Sequence, residues 1–329
     1  MSENVYQIDF NKPESVHFIG IGGISMSGLA EILMDEGFTV SGSDAHRSEL
    51  TDNLEARGVK VYIGQKAENI QDGIDVVVYT AAIHPDNPEF QEVKRRGIPM
   101  LTRAELLGEM MRNYKNAIAI AGTHGKTTTT SMVTEIFLQA KNDPTISVGG
   151  ILPAIGGNIR VGGPEFFVTE ACEYTNSFLS FFPTMEIILN IEAGHLNFFK
   201  DLDNSRHSFR LFAQKLPKDG LLVINSDIDR YEEIVDGLEC RIVTCGKRTD
   251  SNYRAEDITY DHFARAAFHL MIDGQDAGEI TLGVPGEHNV YNALAAIALC
   301  RDLGIDMEHI RAGLKKFTGT NRRFEKKGE

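Results

Sequence analysis

The chain is poor in three things: cysteine, long apolar runs and basic charge. Cys172, Cys240, Cys245 and Cys300 are the only cysteines in 329 residues. None falls in a CxxC pair, so neither a disulfide framework nor a zinc ribbon is expected, and a reducing cytoplasm fits. No apolar run reaches the roughly 18 residues of a membrane-spanning helix. The opening MSENVYQIDFNKPESVHFIG has acids where a signal peptide needs an apolar stretch. Neither a signal peptide nor a membrane partner is expected. Lysine and arginine number 33 against 47 acidic residues, a net charge of −14. A nucleic-acid partner is disfavoured, because phosphate-backbone attraction needs a basic face. A local basic pocket for a small phosphorylated ligand remains open.

What is present is ordinary globular composition, with 42% hydrophobic and 24% charged residues. At roughly 150 residues per domain the length suggests two domains. From Ser15 to about Leu107, short apolar runs (VHFIGIG, FTVSGSD, VKVYIG, DVVVYTAAI) alternate with helical-period stretches (SGLAEILMDEG, ELTDNLEARG). That alternation predicts a parallel sheet covered on both faces. The polar segment LGEMMRNYKN marks a boundary, after which NAIAIAGTHGKTTTTSMVTEIFLQA starts a second strand, loop and helix. FFVTEACEY, EIILNIEAGH, GLLVINSD and CRIVTCG follow as core strands with functional groups at their C-terminal ends. A hairpin is expected around Asp273-Gly274, and HNVYNALAAIALCRDLGI reads as a helix.

Two loops carry the chemistry. Gly20, Gly22, Gly23, Ile24, Ser25, Met26 and Ser27 join the strand VHFI to a helix, where backbone can approach a diphosphate and the helix N-terminus supplies oriented donors. Ser43 and Asp44 end the next strand, and Asp44 can accept a ribose or base hydrogen bond. Ser25 occupies the third glycine position of GxGxxG, so a dinucleotide, a nucleotide-sugar diphosphate and a plain tight turn all stay open at this point. The second loop, Gly122, Thr123, His124, Gly125, Lys126, Thr127 and Thr128, lies between the strand AIAI and a helix. Its amides can cradle the phosphates of ATP, Lys126 can reach the terminal phosphates and the Thr127 hydroxyl can bind Mg²⁺. It departs from GxxxxGK[ST], with Ile120 five before Gly125 and the preceding glycine only three before, at Gly122.

Two phosphate-gripping loops imply two phosphorylated ligands, one more than a nicotinamide oxidoreductase needs. In this order and spacing, VHFIGIGGISMSGLAEIL, VSGSD, AGTHGKTTTTSM, TEACEYTNSF, LNIEAGHLNFF, GEHNVYNALAAIA and FTGTNRRFE resemble the Mur ligase family, and within it the member that adds L-alanine. The resemblance covers nearly the whole chain. It implies an α/β protein: a Rossmann-like UDP-sugar domain over 1–112, a P-loop ATPase-like central domain over 113–322, and in 323–329 the stub of an absent C-terminal domain. On that expectation the chain is a two-domain fragment that is inactive alone. The implied reaction joins L-alanine to UDP-N-acetylmuramate through an acyl phosphate, with ATP and Mg²⁺; the alternative is a noncatalytic nucleotide and UDP-sugar binding module.

By the same resemblance Lys126, Glu170 and His195 are catalytic, and Thr127, Glu170 and His195 hold metal. Glu173 is a weaker candidate that a solvated loop glutamate explains equally well. His288, Asn289, Asn292 and Arg323 match nucleotide-contacting positions, with a helix cap as the bland reading of Asn289, while Arg322 reads as solvated. His84 and Asn87 are candidates for the UDP sugar, against an ordinary turn. Gly194 and Asn197 stand where the family carries two carboxylates, which puts a second Mg²⁺ site in doubt. Lys94-Arg95-Arg96 and Lys326-Lys327 read as solvated charge runs.

Overall fold

The fold is seen in a computed structural model, which describes residues 6–192 and 202–320. The chain divides into two compact units, Met1–Asn113 and Tyr114–Glu329.

In the first unit, β1 (Ser15–Ile19), α1 (Ile24–Asp35), β2 (Thr39–Asp44), α2 (Glu49–Ala56), β3 (Lys60–Ile63), β4 (Val76–Tyr79), α3 (Pro88–Arg96), β5 (Met100–Thr102) and α4 (Arg103–Met111) follow one another. The strands form a sheet of order β3-β2-β1-β4-β5, every pairing parallel. The order reverses between β1 and β4, so the loop after β1 opens at the switch point where such sheets take ligands. The helices start where local chemistry tells them to. Ser48 and Thr51 form a capping box on α2, as do Thr102 and Glu105 on α4. On α3 Asn87 caps the N-terminus ahead of Pro88, and Gly97 ends it in the left-handed conformation. Arg95 and Arg96 pair with Glu92, and Arg96 also with Asp72, which makes that charge run a surface network.

The second unit contains β6 (Asn116–Ala121), α5 (Lys126–Gln139), β7 (Thr145–Leu152), β8 (Gly157–Arg160), β9 (Phe166–Ala171), β10 (Met185–Ile188), α6 (Leu202–Ala213), β11 (Leu221–Asn225), α7 (Glu232–Val235), β12 (Arg241–Cys245), β13 (Tyr253–Tyr260), β14 (Arg265–Ile272), β15 (Gln275–Pro285), α8 (His288–Asp302) and α9 (Met307–Lys316). Its ten strands run β15-β14-β13-β12-β11-β10-β6-β9-β7-β8. The middle is parallel, and antiparallel pairs close both ends, β13-β14-β15 and β7-β8. Ile272 pairs with Gln275 across Asp273 and Gly274, both at positive φ, a two-residue hairpin turn at the expected place. The β7-β8 pair had no sequence signal.

α5 and α8 are buried on nearly every side. Within α5, Ser131 and Thr134 donate their hydroxyls to carbonyls four residues back, at 2.7 and 2.8 Å, whereas the Thr129 and Thr130 hydroxyls are buried without a hydrogen-bond partner among the described residues. Glu186 is a different case. On β10 it is fully buried, and neither carboxylate oxygen has a hydrogen-bond partner. Burial pushes its carboxyl well above the ordinary value, against the opposing pull of Lys215.

The folded chain therefore keeps a proton on Glu186 that the unfolded chain loses above about pH 4.5. Where the unfolded state binds fewer protons, stability falls as pH rises, by up to about 1.4 kcal/mol per unit for one group. Denaturant titrations between about pH 5 and about pH 7 should show this decline flattened in Glu186→Gln. Identical slopes in the two proteins would refute the assignment.

Candidate functional site

The second unit's loop begins where β6 ends between β9 and β10. Gly122 and Gly125 take φ of +145° and +85°. At Gly125 a Cβ would also lie 2.5 Å from Asn292 Oδ1, so glycine is required twice over. The loop is held from outside. Thr123 donates its N–H to the Asn190 carbonyl at 3.1 Å, His124 N–H donates to Asn190 Oδ1 at 2.8 Å, and Asn190 Nδ2 donates to the His124 carbonyl at 3.0 Å. Glu192 N–H donates to Thr123 Oγ1 at 3.0 Å. With its edges held this way, the loop leads into α5 with no side chain capping the helix. The first amides of α5 have no acceptor within the helix, and the positive end of its dipole faces the same way.

Lys126, the first residue of α5, folds back over the loop. Its Nζ donates to the Gly122 carbonyl, to the Thr123 carbonyl at 3.3 Å and to Glu173 Oε2 at 2.9 Å. Glu173 is buried, contrary to the solvated-loop reading. Thr127 Oγ1 donates to Glu170 Oε2 at 3.1 Å, and Glu170 Oε1 accepts the Gly149 N–H at 2.6 Å. One hydroxyl and one carboxylate thus meet beside the ammonium. Among the described residues there is no cluster of three His, Cys, Asp or Glu side chains that would cage a metal unaided.

Beside this loop opens a cavity of about 720 Å³. His124, Gly125, Leu189 and Asn190 form one side; Asn225, Asp227, Cys245, Lys247, His288, Tyr291 and Asn292 contribute to the rest. The size suits a drug-sized or nucleotide ligand. Asp227 accepts the Lys247 N–H with both oxygens, at 3.0 and 2.9 Å, and Asn225 Nδ2 donates to the Leu189 carbonyl at 2.9 Å. The Lys247 ammonium stands 4.7 Å from the Tyr291 ring centre. Burial raises the Cys245 thiol to about 12, so it stays protonated. Asn190, Asn225, Asp227, Lys247 and Tyr291 escaped the sequence reading, although NSD and CGK directly after strands were a usable signal. Asn289 is not in the cavity wall. It is buried, donates to the Pro285 carbonyl at 2.7 Å and accepts from Asn292 at 3.0 Å, so it braces the residue under Gly125.

The first unit's loop is also built by close approach. Gly20 has φ +89°, and at Gly22 a Cβ would lie 2.8 Å from Asp44 Oδ2. The Ser43 carbonyl accepts from Gly20 and Ile21 at 2.8 and 2.9 Å, and Asp44 Oδ2 accepts from Gly22 N–H at 2.8 Å. One oxygen of Asp44 is therefore spent on shaping the loop, and the other accepts the His46 N–H at 3.3 Å. Beneath it the fully buried Glu89 accepts from Ser43 Oγ and Asn69 Nδ2. Burial raises the Glu89 carboxyl, and those hydrogen bonds oppose the rise. Ile24 and Ser25 open α1, with Met26 and Ser27 buried behind them. Asn87 caps α3 and donates to Gln65 Oε1 at 2.5 Å, whereas His84 is exposed. His195, with Gly194 and Asn197, and Arg322 and Arg323 lie outside the described residues, as does the 323–329 segment.

Residues 15–115 match the sequence pattern of the Mur ligase family, catalytic domain, and residues 120–300 that of the Mur ligase middle domain. The chain is 65% identical over 325 residues to the UDP-N-acetylmuramate–L-alanine ligase of Lachnospira eligens, covering 98% of this chain and 71% of that protein. It is 61% identical to the enzyme of the same name from Agathobacter rectalis, covering 99% and 71%. Among solved structures, the UDP-N-acetylmuramate–alanine ligase of Thermotoga maritima superposes with a TM-score of 0.79 at 32% identity, covering 94% of this chain and 70% of that one. The UDP-N-acetylmuramate:L-alanyl-γ-D-glutamyl-meso-diaminopimelate ligase of Neisseria meningitides gives 0.83 at 29%, covering 94% and 100%. No helix among the described residues is long and apolar enough to cross a membrane.

The Asn190 clamp is directly testable. Asn190→Ala should speed hydrogen exchange at the His124 amide and cost about 0.5–1.5 kcal/mol of stability, the ordinary net worth of a hydrogen bond. Unaltered exchange at His124 would mean that the loop holds itself.

Proposed function

Because this chain belongs to the Mur ligase family, we propose that its two glycine loops serve the two phosphorylated substrates of one reaction, the ATP-dependent joining of L-alanine to UDP-N-acetylmuramate. The observation that carries the proposal is the gathering of Lys126, Thr127 and Glu170 at an uncapped helix N-terminus beside a nucleotide-sized cavity.

The residues suit the group they would hold. The loop amides and α5 dipole favour phosphate oxygens, and Gly125 leaves room where any side chain would strike Asn292. The cavity walls of Asn225, Asp227, His288 and Tyr291 suit a nucleoside, polar groups being interleaved with a ring face. Thr127 and Glu170 offer the hard oxygen donors of a Mg²⁺ site that keeps waters and phosphate oxygens as its remaining ligands. His195 would join as a further metal ligand, and Arg323 as a further nucleotide contact. In the first unit, the backbone of 20–27 would take the UDP-sugar diphosphate, with His84 on the exposed loop after β4 as a sugar contact.

When bound, ATP supplies a γ-phosphoryl group that activates the lactyl carboxylate as an acyl phosphate, which the amine of L-alanine displaces with release of phosphate. The protein's part is positioning and charge. Lys126 exchanges one of its three oxygen partners for a phosphate oxygen and neutralises the negative charge of the transferring group. Glu173 keeps the ammonium over the loop until then. Thr127 and Glu170 would hold the cation, and Asn190 keeps the loop from relaxing as these partners change. The four cysteines are free, as a reducing compartment keeps them; we place the reaction in the cytoplasm.

Calorimetric titration tests the reading: independent, saturable binding of ATP–Mg²⁺ and of UDP-N-acetylmuramate, with ADP release that requires the UDP sugar. Binding of NADH without binding of the UDP sugar would overturn it. Within that experiment Lys126→Ala should weaken ATP–Mg²⁺ by roughly 10- to 150-fold, the worth of a hydrogen bond to a charged group. Affinity for UDP-N-acetylmuramate should not change, and an undiminished ATP affinity would remove Lys126 from its role.

A further inference from the structure

The nucleotide-sized cavity lies at the C-terminal end of β12 and the N-terminal end of α8. At the opposite ends of the same two elements is a second opening, a cleft of about 340 Å³. Arg241 and Ile242 of β12 and Arg301 and Asp302 of α8 line it, together with Tyr253 and the hairpin-turn residue Asp273.

This stretch of β12 is a sheet edge. β12 and β13 meet only at Cys245 and Tyr253, so β13 does not run beside residues 241–244. The Arg241 N–H donates toward β11, to the Gly220 carbonyl at 3.0 Å. Strand alternation therefore turns the peptide groups of Ile242 and Thr244 the other way. Asn252 takes up Thr244, its Oδ1 accepting the Thr244 N–H at 2.9 Å. The N–H and carbonyl of Ile242 are left facing the cleft, a strand edge with no strand beside it.

The four charges of the cleft do not all pair. Arg241 pairs with Asp302. Asp273 accepts from Asn252 Nδ2 with Oδ1, at 2.7 Å, and its Oδ2 has no partner among the described residues. Arg301 makes one hydrogen bond, of 3.4 Å to the Ile305 carbonyl, and has no carboxylate partner among the described residues. The C-terminal dipole of α8 accounts for a cation at this turn, but it leaves most of the five-donor fork unused. Burial raises the Tyr253 hydroxyl above its ordinary value, with Arg301 and Arg241 pulling it down and Asp273 pushing it up. All three charged side chains thus act on one point in the cleft. What stays open is one guanidinium, one carboxylate oxygen and one peptide edge. A carboxylate suits the first, an ammonium the second and an amide the third. A short peptide with free termini carries all three.

We propose that this cleft binds a short zwitterionic peptide, its C-terminal carboxylate on Arg301, its ammonium on Asp273 and its peptide group on the edge of β12 at Ile242. The volume is at the low end of the roughly 300–1,000 Å³ of small-molecule pockets, which fits a dipeptide or tripeptide of small residues. The site is separate from the cavity beside Lys126 and does not depend on what that cavity holds.

Glycylglycine is the probe, followed on the whole chain by NMR shifts of backbone amides and arginine side chains, so that the place of binding is read along with the affinity. It should shift the Ile242 amide and the Arg301 Nε–H together and leave the Gly125 and Lys126 amides unmoved. N-acetylglycylglycine lacks the ammonium and glycylglycinamide lacks the carboxylate. Each should bind roughly three- to tenfold more weakly, between the worth of an exposed ion pair and that of a hydrogen bond to a charged group. Arg301→Gln should cost glycylglycine the same factor and leave glycylglycinamide unaffected. Asp273→Asn, which keeps a residue suited to positive φ, should weaken glycylglycine and leave N-acetylglycylglycine unaffected. An unchanged amide spectrum away from the cleft reports that both variants are folded. Absence of a shift at Ile242 would overturn the proposal, and so would equal affinity for all three probes, which marks nonspecific contact. Equal affinity for glycylglycine and N-acetylglycylglycine would also overturn it, since that marks a plain anion site.

Discussion

A loop that binds phosphate has to keep the amides at its helix end free, and this constraint governs both units. Free amides cannot hold the loop in shape, so its earlier amides, its carbonyls, edges and side chains must be held by residues from elsewhere. In the second unit Asn190 grips the His124 peptide from both sides, and the Lys126 ammonium ties the Gly122 and Thr123 carbonyls to Glu173. In the first unit the Ser43 carbonyl and the Asp44 carboxylate take the amides of residues 20–22, and buried Glu89 anchors Ser43 in turn. Each clamp comes from the C-terminal end of a neighbouring strand or from a helix start next to it. The parallel sheet is what delivers these groups to one edge.

The same constraint explains which parts of the sequence were readable. Glycine loops between an apolar strand and a helix are local patterns, and so is the Asp273-Gly274 hairpin, because positive φ and close approach select residue types directly. The partners of those loops are not local. Asn190 lies 66 residues from His124, and Glu89 lies 46 from Ser43. Nothing in the residues around Asn190 or Glu89 distinguishes a clamp from a solvated side chain. Distance in sequence also misdirects in the other sense. Asp44, Asn87 and Asn289 have the residue types of ligand contacts, yet the structure shows them shaping a loop, capping a helix and bracing a neighbour. Short polar side chains satisfy nearby backbone as readily as they satisfy a substrate, and only the fold says which happens. Ser25 is the converse: a departure from a familiar pattern whose partner, Arg103, lies on the last strand-helix junction of the unit.

Charge is the remaining thread. A net charge of −14 is an odd endowment for a protein with two polyanionic substrates, but at physiological ionic strength fields are screened over about 8 Å. What a phosphate meets is the local arrangement. In the second unit that arrangement already contains two carboxylates, Glu170 and Glu173, against the single ammonium of Lys126. Before nucleotide arrives, Glu173 is neutralised by Lys126, and Glu170 is held by a hydroxyl and a backbone amide. On the proposed reading, a triphosphate that draws Lys126 away from Glu173 would add its own negative charge next to Glu170. On that reading, a divalent cation held by Glu170 and Thr127 would offset that charge, so the acid that would repel the nucleotide would become part of what holds it. The first unit has a different arrangement. There Asp44, the carboxylate beside the loop, is occupied by the Gly22 and His46 amides. The two loops look alike in sequence, but the carboxylates beside them are held by different partners.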